Sequence, residues 1–169
     1  MLFRSRISAA WSVLDTLCDT EIPVLTLRDL GIVRDVRVAE DSVLEVVITP
    51  TYSGCPAISQ IEDDIRASLS ANQIDGRVVT QLSPAWTTDW MSAQGKEKLR
   101  EYGIAPPHTV KREFDVVRFA ASPPSPEPVA CPRCNSINTV ESARFGSTAC
   151  KALYRCLACK ETFDYFKSY

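Results

Sequence analysis

Histidine is nearly absent from this chain: His108 is the single one among 169 residues. One imidazole cannot build a di-iron site that takes a histidine from each of two helices. The sequence also has no Ser–His–Asp set, no glycine-rich phosphate loop and no dinucleotide fingerprint. Apolar runs stop well short of the ~18 to 20 residues a membrane helix needs, so no membrane partner is expected. The opening MLFRSRISAAW lacks an apolar stretch followed by a small-residue cleavage site, which argues against a secretion signal. The expected location is therefore cytoplasmic. Cysteine, by contrast, is plentiful, with seven. In a reducing compartment these are not expected to form a disulfide framework, which leaves metal binding or thiol chemistry.

The net charge of −2 conceals an asymmetry. Residues 1–128 carry 13 basic and 18 acidic side chains, whereas residues 129–169 carry 6 and 3. The larger part is thus acidic by 5 and the tail basic by 3. An acidic larger part is poorly suited to neutralising phosphates, so nucleic acid is not an expected partner.

Four of the eleven prolines fall between Ala120 and Ala130. Proline fixes φ and lacks the amide donor, so this stretch reads as an extended spacer. It divides the chain into an α+β domain (1–119), a linker (120–130) and a tail domain (131–169).

In the first domain, Ile7, Trp11, Leu14 and Leu17 or Cys18 recur at helical spacing, predicting a helix from Ser5 to Cys18. Leu25–Gly31 reads as a helical turn stopped by glycine. Strands are predicted over Ile32–Val38 and Val43–Thr49, joined as a hairpin. In the first, Ile32, Arg34, Val36 and Val38 would share one face. A helix over Pro56–Ala71 would bury Ile58, Ile61, Ile65 and Leu69. A strand at Arg77–Leu82, a helix at Thr88–Tyr102 closed by Gly103, and an edge strand at Phe114–Phe119 complete a two-layer α+β arrangement. His108 falls on a loop, and Trp86, Trp90 and Tyr102 read as core or interface.

The tail carries Cys131-Pro-Arg-Cys134 and Cys156-Leu-Ala-Cys159. Two residues between cysteines let a tight turn aim both thiolates at one point, and two such turns supply a tetrahedral sulfur set. The pattern resembles a zinc ribbon, with a hairpin of Thr139–Phe145 and Ala152–Tyr154 filling the gap. Some forty residues bury too little apolar surface to fold unaided, so a structural zinc is expected at the four cysteines, with iron as the alternative in the same sulfur site. Disulfides and free thiols are the competing readings. Cys150 is one sulfur too many for this site and reads as a small buried apolar side chain.

Cys55 stands apart, in Thr51-Tyr52-Ser53-Gly54-Cys55-Pro56. With Pro56 as first helical residue, Cys55 would be the N-cap. Its sulfur would face unpaired amides, which lowers a thiol pKa and favours metal-ligand or nucleophile chemistry.

The segments Asp19-Thr20-Glu21-Ile22-Pro23, Asp29-Leu30-Gly31-Ile32-Val33 and Thr51 to Cys55-Pro56 resemble the iron–sulfur-cluster assembly family that includes SufT. Thr20 stands where that family usually has proline. The stretches EIPVLTLRDLGI, ITPTYSGCPA and FGSTACKALYRC, with the ribbon, resemble one branch: the small D-type (or J-type) subunits of bacterial phenylacetyl-CoA epoxidase systems. The resemblance implies an accessory protein, not an enzyme, that assembles or maintains iron or iron–sulfur centres of that oxygenase. A non-catalytic docking subunit is the alternative it leaves. It further implies that Cys55, Asp19, Glu21 and Asp29 handle a transient iron or cluster. The partners implied are the oxygenase and reductase subunits, and association into a homo-oligomer stays open.

Overall fold

The computed structural model describes residues 2–52, 54–108 and 128–169. The chain forms two compact units, Met1–Leu99 and Arg100–Tyr169.

The first unit opens with α1 (Leu2–Leu14). It ends one turn earlier than its periodicity predicts. Leu17 and Cys18 leave the helix because the chain turns back, and Cys18 bridges to Thr26. Residues 19–31 form a wound loop in which Ile22, Leu25, Leu27 and Leu30 are all buried. Its exit is Gly31, at φ 70°, where a Cβ would lie 2.5 Å from the Trp90 carbonyl oxygen. Only glycine combines that backbone angle with so close an approach.

A three-stranded sheet follows in the order β1–β2–β3. β1 (Val33–Val38) and β2 (Leu44–Ile48) form the predicted antiparallel hairpin. The predicted alternation in β1 fails at a bulge between Val33 and Asp35. The extra residue shifts the pleat, so Val33 and Val36 are both buried while Arg34 and Asp35 face out. α2 (Ile58–Ala71) buries Ile61, Ile65 and Leu69. It then returns the chain as β3 (Gly76–Thr80), parallel to β2. A parallel pair needs such a crossover, and α2 supplies it.

The single helix predicted over Thr88–Tyr102 is broken. A 3-10 turn (Thr88–Trp90) is capped by Thr87, and Met91 is extended at φ −68°, ψ 137°. α3 (Ala93–Tyr102) then starts afresh, with the Ser92 hydroxyl accepting the Gly95 N–H at 2.8 Å. Gly103 closes it at φ 93°, as expected.

The second unit is a four-stranded sheet in the order β4–β7–β6–β5. β5 (Thr139–Ala143) and β6 (Lys151–Cys156) make the expected hairpin, and β7 (Thr162–Phe166) extends it. The outer strand on the far side is β4 (Ile104–Ala105), which lies before the proline stretch and pairs in parallel with β7. The division between the units therefore falls at Leu99/Arg100, ahead of the linker read from the prolines, because Ala105 belongs to the ribbon's own core. The strand expected at Phe114–Phe119 and most of the linker lie outside the described residues. The core cluster of this unit is Ala105, Val129, Cys131, Ala152, Cys156, Phe163 and Tyr165. His108 sits on irregular chain with its ring 5.7 Å from that of Tyr165. Among the described residues, no helix is long and apolar enough to cross a membrane.

Candidate metal centre and thiol site

The four tail cysteines are placed by two copies of one turn. The Cys131 carbonyl accepts the Asn135 N–H at 2.9 Å, and the Cys131 N–H donates to the Ser136 carbonyl at 2.9 Å. The Cys156 carbonyl accepts from Lys160 at 3.0 Å, and the Cys156 N–H donates to Glu161 at 2.8 Å. The residue four past each first cysteine is left-handed, Asn135 at φ 59° and Lys160 at φ 71°. That angle turns the chain back, so the carbonyl of the next residue, Ser136 or Glu161, meets the N–H of the first cysteine. The Leu157 N–H bonds to the Asn138 carbonyl at 2.8 Å and locks the two turns together.

All four Sγ atoms lie within 4.8 Å of one another, with Cys131–Cys159 at 3.8 Å and Cys134–Cys156 at 3.5 Å. A tetrahedron with metal–sulfur bonds of about 2.3 Å has edges of about 3.8 Å, so the set fits zinc without rearrangement. None of the seven cysteines is disulfide-bonded. The Cys159 N–H donates to Cys156 Sγ at 3.5 Å and helps lower the pKa of that thiol. Zinc bound here would be held by four thiolates with no open position, which is structural chemistry. It would also complete the core, since Cys131 and Cys156 are core members and candidate zinc ligands at once. Cys150 is buried as expected, its sulfur 2.9 Å from the Thr148 hydroxyl.

Cys55 is placed differently. The N-cap of α2 is Ala57, which makes no side-chain cap bond, so Cys55 lies two residues ahead of the expected position. The Cys55 N–H bonds to Tyr52 and its carbonyl accepts from Ile58. The half-buried thiol is raised above its ordinary pKa, not lowered as expected. Burial is the first cause, and the charges of Glu21 and Asp19 add to it. The Ala57 N–H and the Thr51 side chain, which hydrogen-bond to the sulfur, pull the other way and are outweighed. The sequence alone does not mark Thr51 as a site residue; its signal is its place four residues before the cysteine.

Asp19 and Glu21 thus share the surroundings of Cys55. Asp19 is fixed by its own loop, its Oδ1 accepting the N–H of Glu21 at 3.0 Å and of Ile22 at 2.7 Å. Asp29 is engaged elsewhere. Its carboxylate is buried and accepts from Ser92 Oγ at 2.7 Å, Lys98 Nζ at 2.6 Å and the Thr26 N–H at 3.3 Å. Burial opposes the charge, but these bonds prevail and hold its pKa below the usual value. That is the chemistry of a clamp between the wound loop and α3. Among the described residues, the four tail cysteines are the one group of three or more metal-ligating side chains that closes on a common point. Cys55, Asp19 and Glu21 do not form a second.

Comparison with known proteins matches residues 7–83 to the family model "Iron-sulfur cluster assembly protein" and residues 120–167 to "PaaD zinc beta ribbon domain". The chain is 48% identical over 161 residues to an Escherichia coli (strain K12) protein provisionally named as the D-type subunit of 1,2-phenylacetyl-CoA epoxidase. That alignment covers 93% of this chain and 90% of the relative. This chain belongs to the PaaD family of phenylacetyl-CoA epoxidase subunits. The first unit has relatives of its own. A Porphyromonas gingivalis "Fe-S protein maturation auxiliary factor" is 34% identical over 52% of this chain and 84% of that protein. A solved "Domain of Unknown Function DUF59" from Bacillus anthracis covers 59% of this chain and 95% of its own, with TM-score 0.53 and 27% identity. This PaaD family member therefore joins an iron–sulfur-assembly-type α+β unit to a zinc ribbon.

Proposed function

We propose that this PaaD family member is an accessory protein that assembles or maintains the iron or iron–sulfur centres of a phenylacetyl-CoA epoxidase system. It does not perform the epoxidation. The observation that carries this reading is Cys55, a half-buried thiol that feels the charges of Asp19 and Glu21, in a unit related to iron–sulfur maturation factors. The raised thiol keeps its proton until a cation arrives. Iron is then cargo: as its bond to Cys55 Sγ forms, the S–H bond breaks and the proton leaves to water. Asp19 and Glu21 make the entry negative, which draws a cation and repels an anion. Among the described residues no complete ligand set gathers around Cys55, so the remaining coordination must come from the cargo or from the client. That suits transfer better than storage.

The test is loading in cells growing on phenylacetate. A Cys55→Ser strain should contain epoxidase or reductase with less iron and should grow poorly, while ribbon zinc stays at one per chain. Oxygenase already charged with metal should turn over in vitro without this protein. Normal iron content and growth in the Cys55→Ser strain would reject the role of Cys55.

A further inference from the structure

The contacts of Asp29 reach beyond its own carboxylate, and all of them lie within the first unit. Ser92 Oγ and Lys98 Nζ each donate to one carboxylate oxygen, and the Ser92 N–H donates to the Asp29 carbonyl at 2.9 Å. The approach is close: a Cβ on Gly95 would lie 2.9 Å from the Asp29 Cβ. On the loop side, Asp29 and Thr26 bond reciprocally. The Thr26 N–H donates to Asp29 Oδ2 at 3.3 Å, and the Asp29 N–H to Thr26 Oγ1 at 3.0 Å. Thr26 in turn bridges to Cys18. Beside that bridge the Leu27 N–H donates to the Leu17 carbonyl at 2.9 Å, and the Asp19 N–H to the Leu25 carbonyl at 2.8 Å. The backbone that carries Asp19 is therefore tied, through Thr26, to the Asp29–Lys98 ion pair.

We propose that Asp29 is a positioning residue for Cys55: anchored by Ser92 and Lys98, it holds the base of the loop so that Asp19 and Glu21 keep the thiol in their field. This deepens the role proposed for Cys55 and rests on it. The need for an anchor is physical. Residues 19–22 belong to no helix or strand, so their placement depends on what holds the ends of the loop. The interaction of two charges falls with distance, and falls faster where water enters between them. A carboxylate that drifts outward therefore stops acting on the sulfur. Asp29 suits the task because a buried carboxylate with a bond on each oxygen is costly to displace.

The test is the alkylation rate of Cys55 in full-length, zinc-loaded protein at fixed neutral pH, read peptide by peptide so that Cys18 and the other cysteines are counted apart. Lys98→Met removes a cation, and the direct effect of that loss on a thiolate would slow the reaction. Release of the loop does the reverse, because the two carboxylates that oppose the thiolate move away. Lys98→Met should therefore react at least about threefold faster than the parent. Ser92→Ala changes no charge and should act in the same direction to a smaller extent, which keeps the test valid if Lys98→Met fails to fold. In the Asp19→Asn/Glu21→Gln background, adding either substitution should change the rate little, because the side chains through which the clamp acts are already neutral. A rate at or below the parent's in the folded clamp variants would overturn the proposal. So would an equal acceleration in the neutral background, which would mean that the clamp merely covers the sulfur. Normal iron loading in the Cys55→Ser strain would instead reject the role of Cys55 in loading, while the alkylation rates would still decide whether Asp29 positions it.

Discussion

The two units use the same side chain for opposite ends. In the ribbon, paired turns crowd four sulfurs together, and the crowding itself calls for a cation. In the first unit one sulfur lies in the field of two carboxylates, and among the described residues these do not close into a metal cage. A cysteine's role is therefore set by its neighbours. Four converging sulfurs suit a structural metal, whereas the role proposed for Cys55 needs an ion that is taken up and released.

Removing zinc should separate the two units most strongly. A structural zinc contributes about 10 to 16 kcal/mol of apparent binding energy in small domains. Chelation, or Cys156→Ala, should unfold Arg100–Tyr169 and leave the sheet of the first unit intact. Amide exchange read unit by unit checks this, and coincident loss of both would break the comparison.

The next effect belongs to the first unit alone. Gly31→Ala would place a Cβ 2.5 Å from the Trp90 carbonyl at φ 70°, and should cost about 2 to 4 kcal/mol by denaturant unfolding. Asp29→Ala, which strands Lys98 and Ser92, should cost about 2 to 3 kcal/mol with ribbon zinc unchanged. The folded pKa of Asp29 lies below the unfolded value of 3.8. Its contribution is thus complete above 3.8 and lost as pH falls through the folded value, so acid should close the gap between parent and variant.

A smaller effect concerns Cys55. Its thiol is raised above its ordinary value of 9.0, so alkylation of Cys55 in the zinc-loaded protein should rise with pH along a curve displaced to the alkaline side of a model thiol. Asp19→Asn with Glu21→Gln should move that curve back toward acid. Curves that coincide would remove the carboxylates from the site. Smallest of all, Cys55→Ser should change stability by less than about 0.5 kcal/mol, since a hydroxyl can also accept from the Ala57 N–H.

What the sequence could tell follows the range of each interaction. The ribbon turns were legible because both cysteines, the intervening residues and the left-handed position lie within five residues. The stripe of α2 and the β1–β2 hairpin were legible for the same reason. The break at Met91–Ser92 was not, because it follows from Asp29, more than sixty residues away, which holds the Ser92 N–H and hydroxyl. β4 was hidden likewise, since two residues acquire strand geometry only through β7. For Cys55 the local pattern pointed to a special thiol. The direction of its pKa came from burial and from residues 19 and 21, which local spacing does not report.

Each metal turn has one inner and one outer sulfur: Cys131 and Cys156 are buried, Cys134 and Cys159 exposed. Thermodynamically a bound ion is locked in place, but kinetically it has a front door. A competing chelator or an oxidant meets the outer pair first and can detach the ion one ligand at a time, while the inner pair keeps its hold. The ribbon's lifetime is therefore governed by the rate at which two surface sulfurs are captured, and not by the affinity of all four.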